Sequence, residues 1–207
     1  MQRPILYSYR RCPYAMRARM ALRYANIDVE VREIVLREKP AQMLAVSPKG
    51  TVPVLVLASG QVLEQSLDII NWALEQSDMD EWIVQDQAVQ KLSADLIATN
   101  DGDFKQALDK YKYAIRFPEN PPDVYRAQGE AFLLRLESLL QQNAYLFRNT
   151  VSKADIAIFP FVRQFSMVDE VWFETANYPA LKAWLNGLLN SQLFIDVMQK
   201  HSVWKDA

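Results

Sequence analysis

Strand-like and helix-like patterns alternate over the first 78 residues, and beyond them the strand signals largely stop. That switch limits the chain to an α/β part followed by an all-helical part. Parallel strands need helical crossovers, and a run of helices can bury its apolar faces only against other helices. Residues 4–9, Pro-Ile-Leu-Tyr-Ser-Tyr, form a short strand candidate. Residues 13–25 carry Met16, Ala18, Met20, Ala21, Leu22 and Ala25 at helical spacing, with Arg19 and Arg23 expected on the opposite, solvated side. Ile27, Val29 and Val31 alternate with Asp28, Glu30 and Arg32 as in a half-buried strand. A short helix over 40–46 leads to the turn Ser47-Pro48-Lys49-Gly50 and a strand over 52–57. A tight turn at Ser59-Gly60, a strand over 61–63 and a helix over 66–76 complete the order βαβαββα. The early strand-helix-strand implies a parallel unit, and the later strand pair an antiparallel hairpin.

The boundary falls within Gln76–Asp80, giving domains 1–78 and 79–207. A long helical region is expected over 80–115, interrupted by Pro118, Pro121 and Pro122. A second helix spans 122–142, with Phe132, Leu136, Leu139 and Leu140 on one face. Others begin near Ser152, Pro179 and Ser191. Ser152-Lys153-Ala154-Asp155 is a capping box flanked by Val151 and Ile156, and it reads as structural.

Composition narrows the function. Half the chain is hydrophobic and 23% is charged, enough for a core that removes about 70% of the unfolded surface from water. A net charge of −2 without a single-sign run argues against a dedicated nucleic-acid binder. No stretch approaches 18 uninterrupted apolar residues, so no membrane span is expected. The first residues lack the apolar run of a signal peptide, which makes a cytoplasmic location the default. Cys12 is the one cysteine and His201 the one histidine. An internal disulfide, a CxxC pair and a Cys-rich zinc site are therefore excluded, no metal is expected, and a Cys-His set would have to use the terminal His201.

Cys12-Pro13 lies where the first strand meets the first helix. Proline favours the first helical position, which puts Cys12 at the N-cap or beside it. Unpaired helical N–H groups and the positive end of the helix dipole stabilise thiolate over thiol there, and Arg10 and Arg11 act in the same direction. A single thiol cannot close an internal disulfide. It can form a mixed disulfide with a small external thiol and be released by a second one.

Cys12-Pro13-Tyr14-Ala15 after a strand, Gly50-Thr51-Val52-Pro53-Val54-Leu55, and Gln65-Ser66 opening a helix resemble the glutathione transferase superfamily, in particular its cysteine-type, omega-like and glutaredoxin-like members. The resemblance covers the whole chain. It implies an N-terminal thioredoxin-like domain, an all-helical glutathione transferase domain and a homodimer. It implies glutathione as co-substrate, with Cys12 as the catalytic thiolate. Pro53 would be the cis-proline beside that cysteine, and the backbone of Val52 would pair with the cysteinyl part of glutathione like an added strand. Gln65 and Ser66 would hold the γ-glutamyl carboxylate, and Lys39 would lie near the glycine carboxylate. Tyr14, Tyr111 and Phe117, together with Tyr113 and Trp172, are candidates for the acceptor site. The function implied is thiol transfer or reduction of small electrophiles and mixed disulfides, including dehydroascorbate. Two alternatives stay open: a conjugating transferase using a hydroxyl such as Tyr9 or Tyr14, and a non-catalytic binding protein on the same fold, of the stringent starvation protein type.

Overall fold

Strand β1 (Ile5–Ser8) carries the buried Leu6, Tyr7 and Ser8 and lies inside a four-stranded sheet. The structure is a computed structural model and describes residues 3–205. Helix α1 (Pro13–Tyr24) crosses over to β2 (Glu30–Glu33), which pairs parallel to β1 with Ile5 opposite Glu30. After α2 (Ala41–Val46), β3 (Val54–Val56) returns antiparallel on the other side of β1, and β4 (Val62–Leu63) forms a hairpin with it. Helix α3 (Ser66–Gln76) then packs on α1. The sheet order is β2-β1-β3-β4, so the expected βαβαββα sequence of elements is present.

Strand β2 begins later than the alternation from Ile27 predicts. Asn26 takes a left-handed φ of 56°, and Ile27 N–H closes back on Leu22 C=O at 3.0 Å. This ends α1 and uses Ile27 in the helix stop rather than in the ladder.

The second compact unit, Glu81–Asn190, is helical. Asp86 caps α4 (Gln87–Thr99) by accepting from Ala88 and Val89 N–H. The helix passes through a π-helical turn at Asn100–Phe104 into α5 (Lys105–Lys112), so the long region starts at 87 rather than 80. It continues with α6 (Pro122–Leu140), α7 (Lys153–Ser166), α8 (Glu170–Thr175) and α9 (Pro179–Leu189). Helix α8 has no counterpart in the sequence reading. The core holds Phe104 against Phe132 and Phe165, with ring centroids 4.7 and 5.3 Å apart. The capping box forms at α7: Asp155 accepts from Ser152 N–H at 2.8 Å and Ser152 Oγ–H at 2.6 Å.

Two expectations about the first unit change. The chain from Ser191 onward, placed with the helical domain by the sequence, belongs to the same compact unit as the chain up to Asp80. Its helix α10 (Gln192–Val197) packs on α1, and Trp204 N–H donates to Glu33 C=O at 2.8 Å, covering the β2 edge. Arg19 is buried rather than solvated, with 5% exposure. Its guanidinium donates to Ser8 Oγ at 2.6 Å, Arg10 C=O at 2.8 Å and Val197 C=O at 3.0 Å, which joins β1 to α10. Arg23 is exposed and pairs with Asp196 at 2.9 Å. Among the described residues no helix is long and apolar enough to cross a membrane.

Candidate functional site

Cys12 occupies the N-cap of α1 with an extended backbone, and Pro13 opens the helix. Its amide donates to Tyr9 C=O at 3.0 Å, and its carbonyl accepts the first helical bond from Met16. The side chain is half-buried and packs in an apolar cluster with Tyr7, Ala15, Ile34 and Val52. Sγ lies 3.8 Å from Val52 C=O, next to the Val52–Pro53 peptide, which is cis. A carbonyl oxygen at that distance favours the thiol weakly. The positive dipole end of α1, at whose N-cap the sulfur sits, favours the thiolate.

Arg19 adds to the second effect. Burial pulls its guanidinium down to about 10, against attraction from Glu33 and from Cys12. The side chain remains a cation near neutrality, within electrostatic reach of the sulfur.

Ser66 is buried at the first turn of α3, and Gln65, exposed, is its N-cap residue. The Ser66 hydroxyl does not cap its own helix. It accepts from Arg17 Nε at 2.9 Å. Arg17 is 1% exposed, and its guanidinium lies 5.0 Å from the centre of the Tyr14 ring. With a lone pair committed to Arg17, the Ser66 O–H is left to donate elsewhere. The segment before Ser66 is fixed from the turn before Pro53: Ser47 Oγ–H donates to Glu64 Oε1 at 2.5 Å and Lys49 Nζ to Glu64 C=O at 2.9 Å. Lys39 is exposed and reaches over Gly50. A Cβ built on Gly50 would meet Lys39 Nζ at 3.2 Å, and a φ of 60° there suits glycine independently.

The structure therefore gathers Cys12, Tyr14, Lys39, Val52, Pro53, Gln65 and Ser66 in one unit. Tyr111 and Phe117 belong to the other. Tyr111 is buried 5.2 Å from the Phe165 ring and lines a cavity of about 700 Å³ with Arg126, Asp123 and Asp169. Phe117 is not in that wall and packs on Tyr125, which donates to its carbonyl at 3.0 Å. Tyr113 is exposed, and Trp172 lies under the Arg126 guanidinium. Arg17 was missed by sequence reasoning. Its partner is 49 residues away, beyond any local spacing rule.

The sequence matches "Glutathione S-transferase, N-terminal domain" over residues 6–81 and "Glutathione S-transferase, C-terminal domain" over 86–187. The chain belongs to the glutathione S-transferase family. It is 28% identical to a probable maleylacetoacetate isomerase of Caenorhabditis elegans over 78% of each chain. It is 26% identical to human glutathione S-transferase omega-2, covering 88% of this chain and 75% of the relative. A glutathione transferase family member of Pseudomonas fluorescens, solved with two glutathione bound, superposes with a TM-score of 0.77 at 19% identity, over 94% of this chain and 92% of that one. In the family's terms, the first unit's sheet and α1–α3 are the N-terminal glutathione S-transferase domain, and most of the helical unit is the C-terminal domain.

Proposed function

We propose that this glutathione S-transferase family member is a glutathione-dependent thiol transferase and reductase in which Cys12 is the nucleophile. The observation that carries the reading is Cys12 at the N-terminus of α1, beside Val52, with the buried Arg19 cation in electrostatic reach. In the first step the Cys12 thiolate attacks the glutathionyl sulfur of a mixed disulfide. A Cys12–glutathione bond forms, the original S–S bond breaks, and the acceptor thiolate leaves with the electron pair. A second glutathione thiolate then attacks that adduct, releasing the Cys12 thiolate and oxidised glutathione.

Glutathione is held by Lys39, Val52, Pro53, Gln65 and Ser66 in this reading. Among the described residues nothing accepts the Val52 N–H, which leaves it as a donor for an extended peptide. Ser66 O–H and the first N–H groups of α3 offer donors to the γ-glutamyl carboxylate. Tyr14, Tyr111 and Phe117 are proposed for the acceptor side. The two domains are proposed at 1–78 and 79–207 by function, with the 191–205 segment packed on the first. The protein is proposed to act in the cytoplasm as a homodimer, for which light scattering should return twice the chain mass.

The test is intact mass after incubation with oxidised glutathione, with Cys12→Ala as control. One glutathione adduct on the wild type, absent from the variant and removed by reduced glutathione, is the expected result. The C. elegans relative favours a second reading, a glutathione-dependent isomerase. No adduct while glutathione still binds would select that reading or a conjugating transferase. No adduct and no binding would select a non-catalytic protein.

A further inference from the structure

A cavity of about 450 Å³ opens in the first unit. Tyr9, Arg10 and Arg11 of its wall immediately precede the cysteine, and Ile34 of its wall packs in the same apolar cluster as Cys12. Its polar rim is one-sided. Arg10, Arg11, Arg37 and Lys200 all line it, together with His201. None of these four cations forms an ion pair with another described residue. Glu33 is the only carboxylate among the lining residues. It is already engaged, accepting from Arg10 N–H at 2.7 Å and facing the buried Arg19. Ile34, Leu36 and Val203 supply apolar wall between the charges. On a chain whose net charge is −2, four unpaired cations around one apolar cleft are a local concentration against the overall sign. Such a cleft raises the local concentration of anions and selects for an apolar body that carries them.

We infer that this cleft, in addition to the aromatic side chains proposed above, docks the acceptor by its anionic part, and that the acceptors are anionic molecules with an apolar or aromatic body, above all disulfides and thiols carrying carboxylates. The inference rests on Cys12 being the nucleophile of thiol exchange. An anion drawn to Arg11, Arg37 and Lys200 is delivered to the sulfur from the side of residues 9–11. A neutral molecule of equal shape gains nothing from those charges.

The experiment compares two aromatic disulfides that report their own cleavage by colour: the dianion dithiobis(nitrobenzoate) and the neutral dithiodipyridine. In both, Cys12 Sγ bonds to one sulfur, the S–S bond breaks, and the aryl thiolate leaves with the electron pair. Second-order rates are measured for the wild type, for the triple variant Arg11→Gln/Arg37→Gln/Lys200→Gln, and for Cys12→Ala as blank. Each exposed cation near the path is worth about twofold in rate, so relative to the neutral disulfide the dianion should slow about eightfold in the triple variant. The neutral disulfide is the denominator: any change in folding or at the thiol that Arg11→Gln brings slows both reagents alike, so it is the ratio of dianion to neutral rate that should fall. Raising salt from about 0.02 M to about 0.5 M should remove the same advantage from the wild type and little from the variant. If both disulfides react and the triple variant leaves their ratio unchanged, the cleft is not an anion site and the inference falls while thiol exchange stands. If neither reacts with the wild type at Cys12, both fall together, because the cleft then serves no nucleophile.

Discussion

Replacing Asp155 tests whether the start of α7 holds the helical unit together. Asp155 has no exposure, and all four of its hydrogen-bond partners are donors. Oδ1 accepts from Leu146 N–H at 3.0 Å and Trp184 Nε1–H at 2.9 Å, while Oδ2 accepts from Ser152 N–H at 2.8 Å and Ser152 Oγ–H at 2.6 Å. Burial pushes the carboxyl up, and the hydrogen bonds from Ser152, Leu146 and Trp184 pull against that shift. In Asp155→Ala the serine hydroxyl can rotate away, but three N–H groups are stranded in the interior. Each stranded donor costs about 1–3 kcal/mol. Because the three share one acceptor their costs do not add, and about 4 kcal/mol is the expected loss. That is a large part of the roughly 5–15 kcal/mol a folded chain commands. Urea unfolding followed by circular dichroism measures it. A Trp184→Phe change in the Asp155→Ala background removes one stranded donor, so it should cost less there than in the wild type. A loss below about 1.5 kcal/mol for Asp155→Ala would refute the reasoning, since it would mean that the donors find water or other acceptors.

Three further outcomes follow from single contacts. In Gly129→Ala the new Cβ would stand 2.4 Å from Phe165 Cε2 and 2.8 Å from Cζ, so the thermal midpoint should fall by an amount equivalent to about 1–3 kcal/mol despite the better helix former. In Arg19→Met the carbonyls of Val197 and Arg10 lose their buried donor, so hydrogen exchange should accelerate across 192–198 well before it does in the sheet. Burial, with the charges of Asp78 and Asp80 adding to it and the hydrogen bond from Asp80 N–H opposing, raises Tyr24 from 10.0 to about 12. A phenol that holds its proton longer when folded contributes stability that is intact below its unfolded value and is lost as pH rises through the folded one. The stability of the wild type should therefore fall more steeply between pH 10 and about 12 than that of Tyr24→Phe, and ultraviolet titration of that variant should lack one late-ionising tyrosine.

What could be read from the sequence divides along the range of the forces involved. The βαβαββα order was legible because alternation and helical spacing are local signals, and the capping box because its partners are three residues apart. Cys12-Pro13 was legible for the same reason: a helix start is written in neighbouring residues. Arg19 was not, because an arginine on a helix is ordinarily solvated. It is buried only because Ser8, Arg10 and Val197, the last 178 residues away, supply acceptors that compensate its desolvation. Spacing located the helix near Ser191 but not the face of the protein that receives it. Periodicity shows that a face will be buried and is silent about its partner. Helix α8 was missed because it has only six residues, of which Phe173 alone is buried, too few to show a period. The same division runs through the site. Cys12, Val52-Pro53 and Gln65-Ser66 stood out as short motifs, whereas Arg17 and the cationic rim did not. Arg17 meets Ser66 across two packed helices, and Arg11, Arg37 and Lys200 converge only when the C-terminal segment lies along β2. Motifs mark where the chemistry can happen. The features that choose the acceptor depend on tertiary convergence, and for that reason the acceptor side was the least legible part of the chain.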